Sequence, residues 1–138
     1  MVVKIHVDGV ARVRYSVLEG TVDDDGLVDA YAAVLADPDF DPTLNDLVDA
    51  RGVRRVDVTP AGVRRLADLI QQVDRLALPT KVAVVAPQDD AYETARMYES
   101  LRVGQHSPAE HRVFREMDEA RRWLGLSEDG RPGAAGGG

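Results

Sequence analysis

Apolar residues recur along this chain in two rhythms, and the switches between them mark the elements. Val3, Ile5 and Val7 alternate with Val2, Lys4 and His6, and after Asp8-Gly9 the residues Val13, Tyr15 and Val17 alternate with Arg12, Arg14 and Ser16. Period-two alternation marks strands with one buried face, and an Asp-Gly step whose glycine accepts positive φ marks the turn between them. Residues 2–17 therefore predict a hairpin. The rhythm then becomes helical. Leu27, Ala30, Tyr31, Val34 and Leu35 form one stripe, introduced by Asp23, Asp24 and Asp25 and ended by Asp37-Pro38. Carboxylates at that end suit the positive pole of a helix.

The same alternation of rhythms continues. Leu44 to Ala50 reads as a buried strand, and Arg51 to Asp57 as the passage to a second helix opened by Pro60 and striped by Val63, Leu66, Ala67, Ile70 and Val73. Lys81 to Ala86 is a short apolar run of the kind found in central parallel strands. Asp89 or Asp90 is placed to cap a third helix carrying Ala91, Ala95, Tyr98 and Leu101. His111 to Arg115 predicts a last strand, and Met117, Ala120, Trp123 and Leu124 a last helix. The order β-β-α-β-α-β-α-β-α implies an α/β domain with a mixed, mainly parallel sheet over residues 1–125, and a flexible Gly/Ala/Pro-rich tail over 126–138. In such sheets function gathers at the carboxyl ends of the strands. The segments expected there are Arg51–Pro60, Pro87–Tyr92 and Gly104–Pro108.

Composition removes several function classes. The chain has 138 residues and no cysteine, so a disulfide framework, a thiol nucleophile and a thiolate metal site are excluded. A net charge of −7 argues against a partner held through nucleic-acid phosphates. No apolar run is long enough to span a membrane, and Met1 to His6 lacks the pattern of a secretory leader, which leaves a cytoplasmic protein as the expectation. Neither glycine-rich phosphate loop occurs. Asp37-Pro-Asp-Phe-Asp41 begins like a calcium loop but has Pro42 where the glycine belongs and Val48 where the twelfth-position glutamate belongs. No serine sits in a nucleophile turn and no carboxylate pair is marked out, so the expectation is a protein without catalysis, metal or cofactor.

One segment carries more. Asp49 ends a strand, Val53 and Val56 lie in an apolar passage, and Asp57-Val58-Thr59-Pro60 opens a helix. This resembles the sulfate transporter and anti-sigma-factor antagonist (STAS) domain, in which Asp-Ser-Ser-Gly opens the corresponding helix. Thr59 matches the second serine, whereas Val58 replaces the first and Pro60 the glycine. Lys81–Pro87, Ala91–Glu99, His111–Phe114 and Trp123-Leu124 extend the resemblance to a bacterial STAS/SEC14-like subgroup across about residues 2 to 125.

The resemblance implies a regulatory module whose partner is a protein such as a kinase or anti-sigma factor, switched by phosphate on Thr59. The plain reading of Thr59 is a helix N-cap, worth about 1 kcal/mol. A partner or ligand edge would include Asp57, Pro60, Arg54, Arg55, Asp89, Tyr92 and Arg96, with Arg51, Arg64 and Arg65 also bracketing the turn. Tyr92 and Arg96, one helical turn apart, read equally as a groove wall or a stacked surface pair. Two other readings stay open. The SEC14-like side implies a carrier of a lipid or small apolar ligand, which calls for a pocket of about 300 Å³ or more. The exposed edge of the hairpin makes a second copy of the chain a candidate partner.

Overall fold

The computed structural model describes residues 1–126, so all of the tail expected over 126–138 except Leu126 lies outside the described residues. Strands β1 (Val2–Asp8), β2 (Val13–Asp23), β3 (Asn45–Asp57), β4 (Lys81–Val85) and β5 (Glu110–Phe114) form one sheet in the order β1-β2-β3-β4-β5. β1 runs antiparallel to β2, and all the other pairs are parallel. Helices α1 (Asp24–Ala36), α2 (Pro60–Ile70), α3 (Asp89–Gly104) and α4 (Met117–Trp123) alternate with the parallel strands, and a 3₁₀ turn at Gln71–Leu76 prolongs α2. The element order and the mixed sheet agree with the sequence pattern.

The strand order explains where the helices lie. From β2 to β5 the sheet grows one strand at a time in one direction, and each crossover is right-handed by default. Three successive crossovers of one hand place α1, α2 and α3 on the same face. There Leu18, Val22, Val48, Ala50, Val53 and Ala86 of the sheet side meet Leu27, Leu66 and Ala91 of the helices. The opposite face has only α4, and Val13, Leu47, Ala83, Val85 and Phe114 pack against Ala120, Leu124 and Leu126. Leu126, which the sequence pattern places in the tail, is thus part of the core.

Several local expectations are corrected. The hairpin buries little of β1: Ile5 and Val7, opposite Ser16 and Arg14 on the face that carries α1–α3, are exposed, Val2 on the other face is exposed too, and only Val3, opposite Leu18, packs partly against the core. Its turn is closed by the Asp8 carboxylate, which accepts from the Val10 and Ala11 amides, and the residue with positive φ is Arg12 and not Gly9. β2 continues six residues past its predicted end. Gly20, at φ 88°, absorbs a register shift there, and the interruption of alternation at Glu19-Gly20 hides the continuation. The passage Arg51–Asp57 is likewise strand, paired with β2 up to Asp23 opposite Asp57. Asp89 and Asp90 lie in the first turn of α3, and the cap position belongs to Gln88. Gly104–Pro108 follows α3, which runs against the strands, so this segment sits at the amino edge of the sheet and not at the carboxyl edge.

Candidate functional site

The carboxyl edge is built by two strands that end together. Asp23 and Asp57 are the last paired residues of β2 and β3, so α1 and α2 start side by side. Asp23 caps α1 by accepting from the Gly26 amide at 2.7 Å. Thr59 caps α2, its hydroxyl oxygen accepting from the Gly62 amide at 3.1 Å, with Pro60 in the first helical position as its fixed φ favours. The plain reading of Thr59 is therefore met.

Thr59 also has a partner that the linear pattern does not reveal. Its hydroxyl donates to Asp24 Oδ2 at 2.6 Å and its amide donates to Asp24 Oδ1 at 2.8 Å. The two bonds, the hydroxyl one first, hold the Asp24 carboxyl below its usual range, so Asp24 is a carboxylate bridging the starts of both helices. In the sequence Asp24 is one of three adjacent aspartates and signals only a helix start. Arg65 on α2 adds an ion pair to Asp25 on α1 at 3.0 Å.

Gly62 shows how close the bridge is. A Cβ built there would lie 1.9 Å from Asp24 Oδ1. An Ala in place of a mid-helix Gly normally stabilises by about 0.5–1 kcal/mol. Here Gly62→Ala is expected to destabilise, because Asp24 must swing away from both Thr59 bonds. In an Asp24→Ala background the same change should become stabilising by about 0.5–1 kcal/mol. Urea melts of the four proteins measure this reversal, and strict additivity would refute the bridge.

The other sequence-predicted residues divide into separate groups. Asp57 pairs with Arg55 at 3.3 Å, and Arg51 makes a two-pronged contact with Asp49 at 2.9 Å. Arg54 and Arg64 are exposed, and Val58 packs against the α1–α3 core cluster. Asp89, Tyr92 and Arg96 gather around a residue that no sequence motif singles out, Arg115 just after β5. Its guanidinium lies 4.1 Å from the Tyr92 ring centroid, pairs with Asp89 at 2.8 Å and donates to the Pro87 carbonyl at 3.0 Å. Arg96 reaches Tyr92 Oη at 3.3 Å and Glu99 at 3.2 Å. Tyr92 is therefore part of a stacked surface cluster. Among the described residues no hydrogen bond or ion pair joins this cluster to Asp57 and Thr59. Sequence spacing could not have found Arg115, because only β5 pairing beside β4 brings it over α3.

Among the described residues no group of three or more His, Asp or Glu side chains is placed to hold a metal ion, and no helix is long and apolar enough to cross a membrane. The core under α1–α3 is not solid. A cavity of about 200 Å³ runs between these helices and the sheet. That is smaller than the roughly 300 Å³ that the lipid-carrier reading calls for.

No family model matches this sequence, and no curated protein matches it significantly. A solved structure does match: an uncharacterized protein of the DUF3478 family with a SpoIIAA-like fold from Shewanella loihica PV-4. The identity is 13%, the TM-score is 0.52, and the match covers 89% of this chain and 92% of that one. The fold is SpoIIAA-like. This is the anti-sigma-factor-antagonist architecture that the Thr59 segment resembles in sequence. At 13% identity the likeness establishes the fold and carries no function across.

Proposed function

We propose that this SpoIIAA-like domain is a non-catalytic protein-interaction module whose partner reads the carboxyl edge at Asp24 and Thr59. The observation that carries the reading is the exposed Thr59 hydroxyl, which joins two helix starts by one hydrogen bond to Asp24. A phosphate there would remove the donated proton and set about two negative charges beside a carboxylate. The bridge would open and the helix starts would separate at the surface, while the core cluster beneath, to which Val58 packs, stays closed. The favourable pull of the helix pole on a phosphate opposes this, and repulsion by an adjacent ionised Asp24 outweighs it at such short range.

Affinity capture from native-cell lysate, with Thr59→Glu and Thr59→Ser as companions, tests the proposal. Wild type and Thr59→Ser are expected to recover the same protein, and Thr59→Glu to recover roughly tenfold less, a loss of about 1.4 kcal/mol. A differently tagged copy of the chain belongs among the baits, because exposed Val2, Ile5 and Val7 on β1 suit a second copy as partner. Equal recovery by wild type and Thr59→Glu, or no protein above a control bait, would overturn the reading.

A further inference from the structure

The outermost strand β1 lacks the devices that usually protect a sheet edge. Proteins blunt such edges with bulges, prolines, charged side chains or a covering element, because the outer N–H and C=O groups otherwise invite another strand. The seven residues of β1 pair with β2 in one unbroken register and include no proline. The opposite edge, β5, has five residues, carries Glu110 and Arg112, and is packed by both α3 and α4. On β1, Ile5 and Val7 are 43% and 49% exposed. They stand opposite Ser16 and Arg14, on the face of α1–α3. Lys4, His6 and Asp8 stand opposite Val17, Tyr15 and Val13, on the face of α4. One face of this edge is therefore apolar, and the other carries a cation and an anion at its two ends.

We propose that a second copy of this chain docks on β1, the two strands running antiparallel with His6 opposite the partner's His6. The two five-stranded sheets then become one. Side-chain complementarity selects this register. Residues directly opposite each other in an antiparallel pair share a face, and faces alternate along a strand. A symmetric pair must therefore be centred on a residue. Centring on Lys4, Ile5 or His6 is what leaves most of β1 paired. The Lys4 centre sets two ammonium groups against each other. The Ile5 centre sets Lys4 against the partner's His6 and Asp8 against the partner's Val2. The His6 centre sets Lys4 against the partner's Asp8 at both ends, and Ile5 against the partner's Val7 twice. The turn amides of Val10 and Ala11 use Asp8 Oδ1, so an incoming ammonium needs only Oδ2. Lys4 now pairs with Glu19 at 3.2 Å, an exposed contact that an ammonium with three donors can keep or exchange. The two-fold axis stands normal to the joined sheet. Both sets of α1–α3 then lie on one face, and the two carboxyl edges point to opposite ends. Neither Asp24–Thr59 edge is covered, so the dimer stands or falls apart from the interaction reading.

The chain has no cysteine, so single cysteine variants report the register without interference. Opposite Cα atoms of an antiparallel pair lie about 4.5–5.5 Å apart, within the span of a disulfide, whereas positions beyond about 7 Å cannot be bridged. Under mild oxidation His6→Cys is expected to give a covalent dimer on a non-reducing gel, and Lys4→Cys and Ile5→Cys to stay monomeric. Sedimentation of the full wild-type chain at submillimolar concentration is expected to show a reversible dimer. Ile5→Lys places a charge in the apolar row once per copy, and should weaken association at least tenfold. Ile5 is exposed in the single chain, so the far-UV circular dichroism of that variant should match wild type. A wild-type chain that stays monomeric at millimolar concentration overturns the proposal. So does a dimer that Ile5→Lys leaves intact, or cross-linking that is faster at Lys4→Cys or Ile5→Cys than at His6→Cys.

Discussion

Replacing Asp74 by Ala is expected to destabilise the domain by about 3–5 kcal/mol, a large part of the roughly 5–15 kcal/mol typical of a natural domain. Asp74 lies in the 3₁₀ turn after α2 and is the carboxylate partner of Arg102. The guanidinium is 1% exposed, and Asp74 supplies two of its four donated hydrogen bonds. Removing the carboxylate leaves an arginine that cannot shed its proton, out of water, with uncharged partners such as Gln105, Ser107 and Tyr98. The loss is therefore dominated by a stranded charge and not by the missing attraction. The double variant Arg102→Leu/Asp74→Leu tests that interpretation, since it removes both desolvated charges and should cost far less than Asp74→Ala alone. Urea unfolding of both proteins at neutral pH gives the comparison. If Asp74→Ala costs less than about 1 kcal/mol, the pair is hydrated and behaves like a surface ion pair.

Stability should also fall as pH drops from about 6.5 to about 4, and His111 is the residue responsible. Burial, followed by the positive charge of Arg102, lowers its pKa from 6.5 to about 4. Between these values an unfolded chain binds the His111 proton and the folded chain does not, so the unfolded state gains on acidification. The contribution is fully present above about 6.5, declines through the window and is exhausted below about 4. A tenfold difference in proton affinity between the two states is worth about 1.36 kcal/mol, so the contribution amounts to at most about 3 kcal/mol. Asp46 acts in the opposite sense at the lower end of the window. Burial raises its pKa, so the folded state holds that proton more readily. Asp24, Asp41 and Asp49 have lowered values, and their contributions disappear only below the ordinary carboxylate range. His111→Phe keeps a ring against Tyr98, whose centroid lies 5.7 Å away in an edge-on arrangement, and should flatten the curve between pH 6.5 and 4. Urea midpoints across that range in both proteins give the answer, and an unchanged slope in the variant would place the titrating group elsewhere.

The two effects act at the same place. Asp74, Arg102 and His111 all line the amino-edge end of the cavity. The carboxyl edge behaves differently. The Asp24–Thr59 bridge lies at the surface on helix starts, where losing it alters a docking face more than it alters the core.

What the amino-acid sequence determined by itself is the part written in local chemistry. Alternation at 2–17, the helical stripes beginning at Leu27 and Val63, and the apolar run 81–86 specify the elements because each period reports one backbone geometry. Thr59-Pro60 specifies a helix start because an N-cap hydroxyl and a fixed φ act within a single helical turn. The SpoIIAA-like architecture was legible for the same reason, since its signature segment is contiguous. Other features were decided only by the tertiary structure. The long ends of β2 and β3 pair with each other although Glu19-Gly20 and Arg51-Gly52 interrupt their alternation. Asp24 meets Thr59 across 35 residues, and Arg115 meets Asp89 across 26. Arg14 and Arg102 carry the polar side chains of surface residues and are nonetheless buried, because Asp46 and Asp74 arrive from other elements to match their charge. The cavity, too, belongs to no segment. It is the space left where three helices on one face of a twisted sheet do not fill the volume beneath them, and such a void depends on distances between elements that no local periodicity encodes.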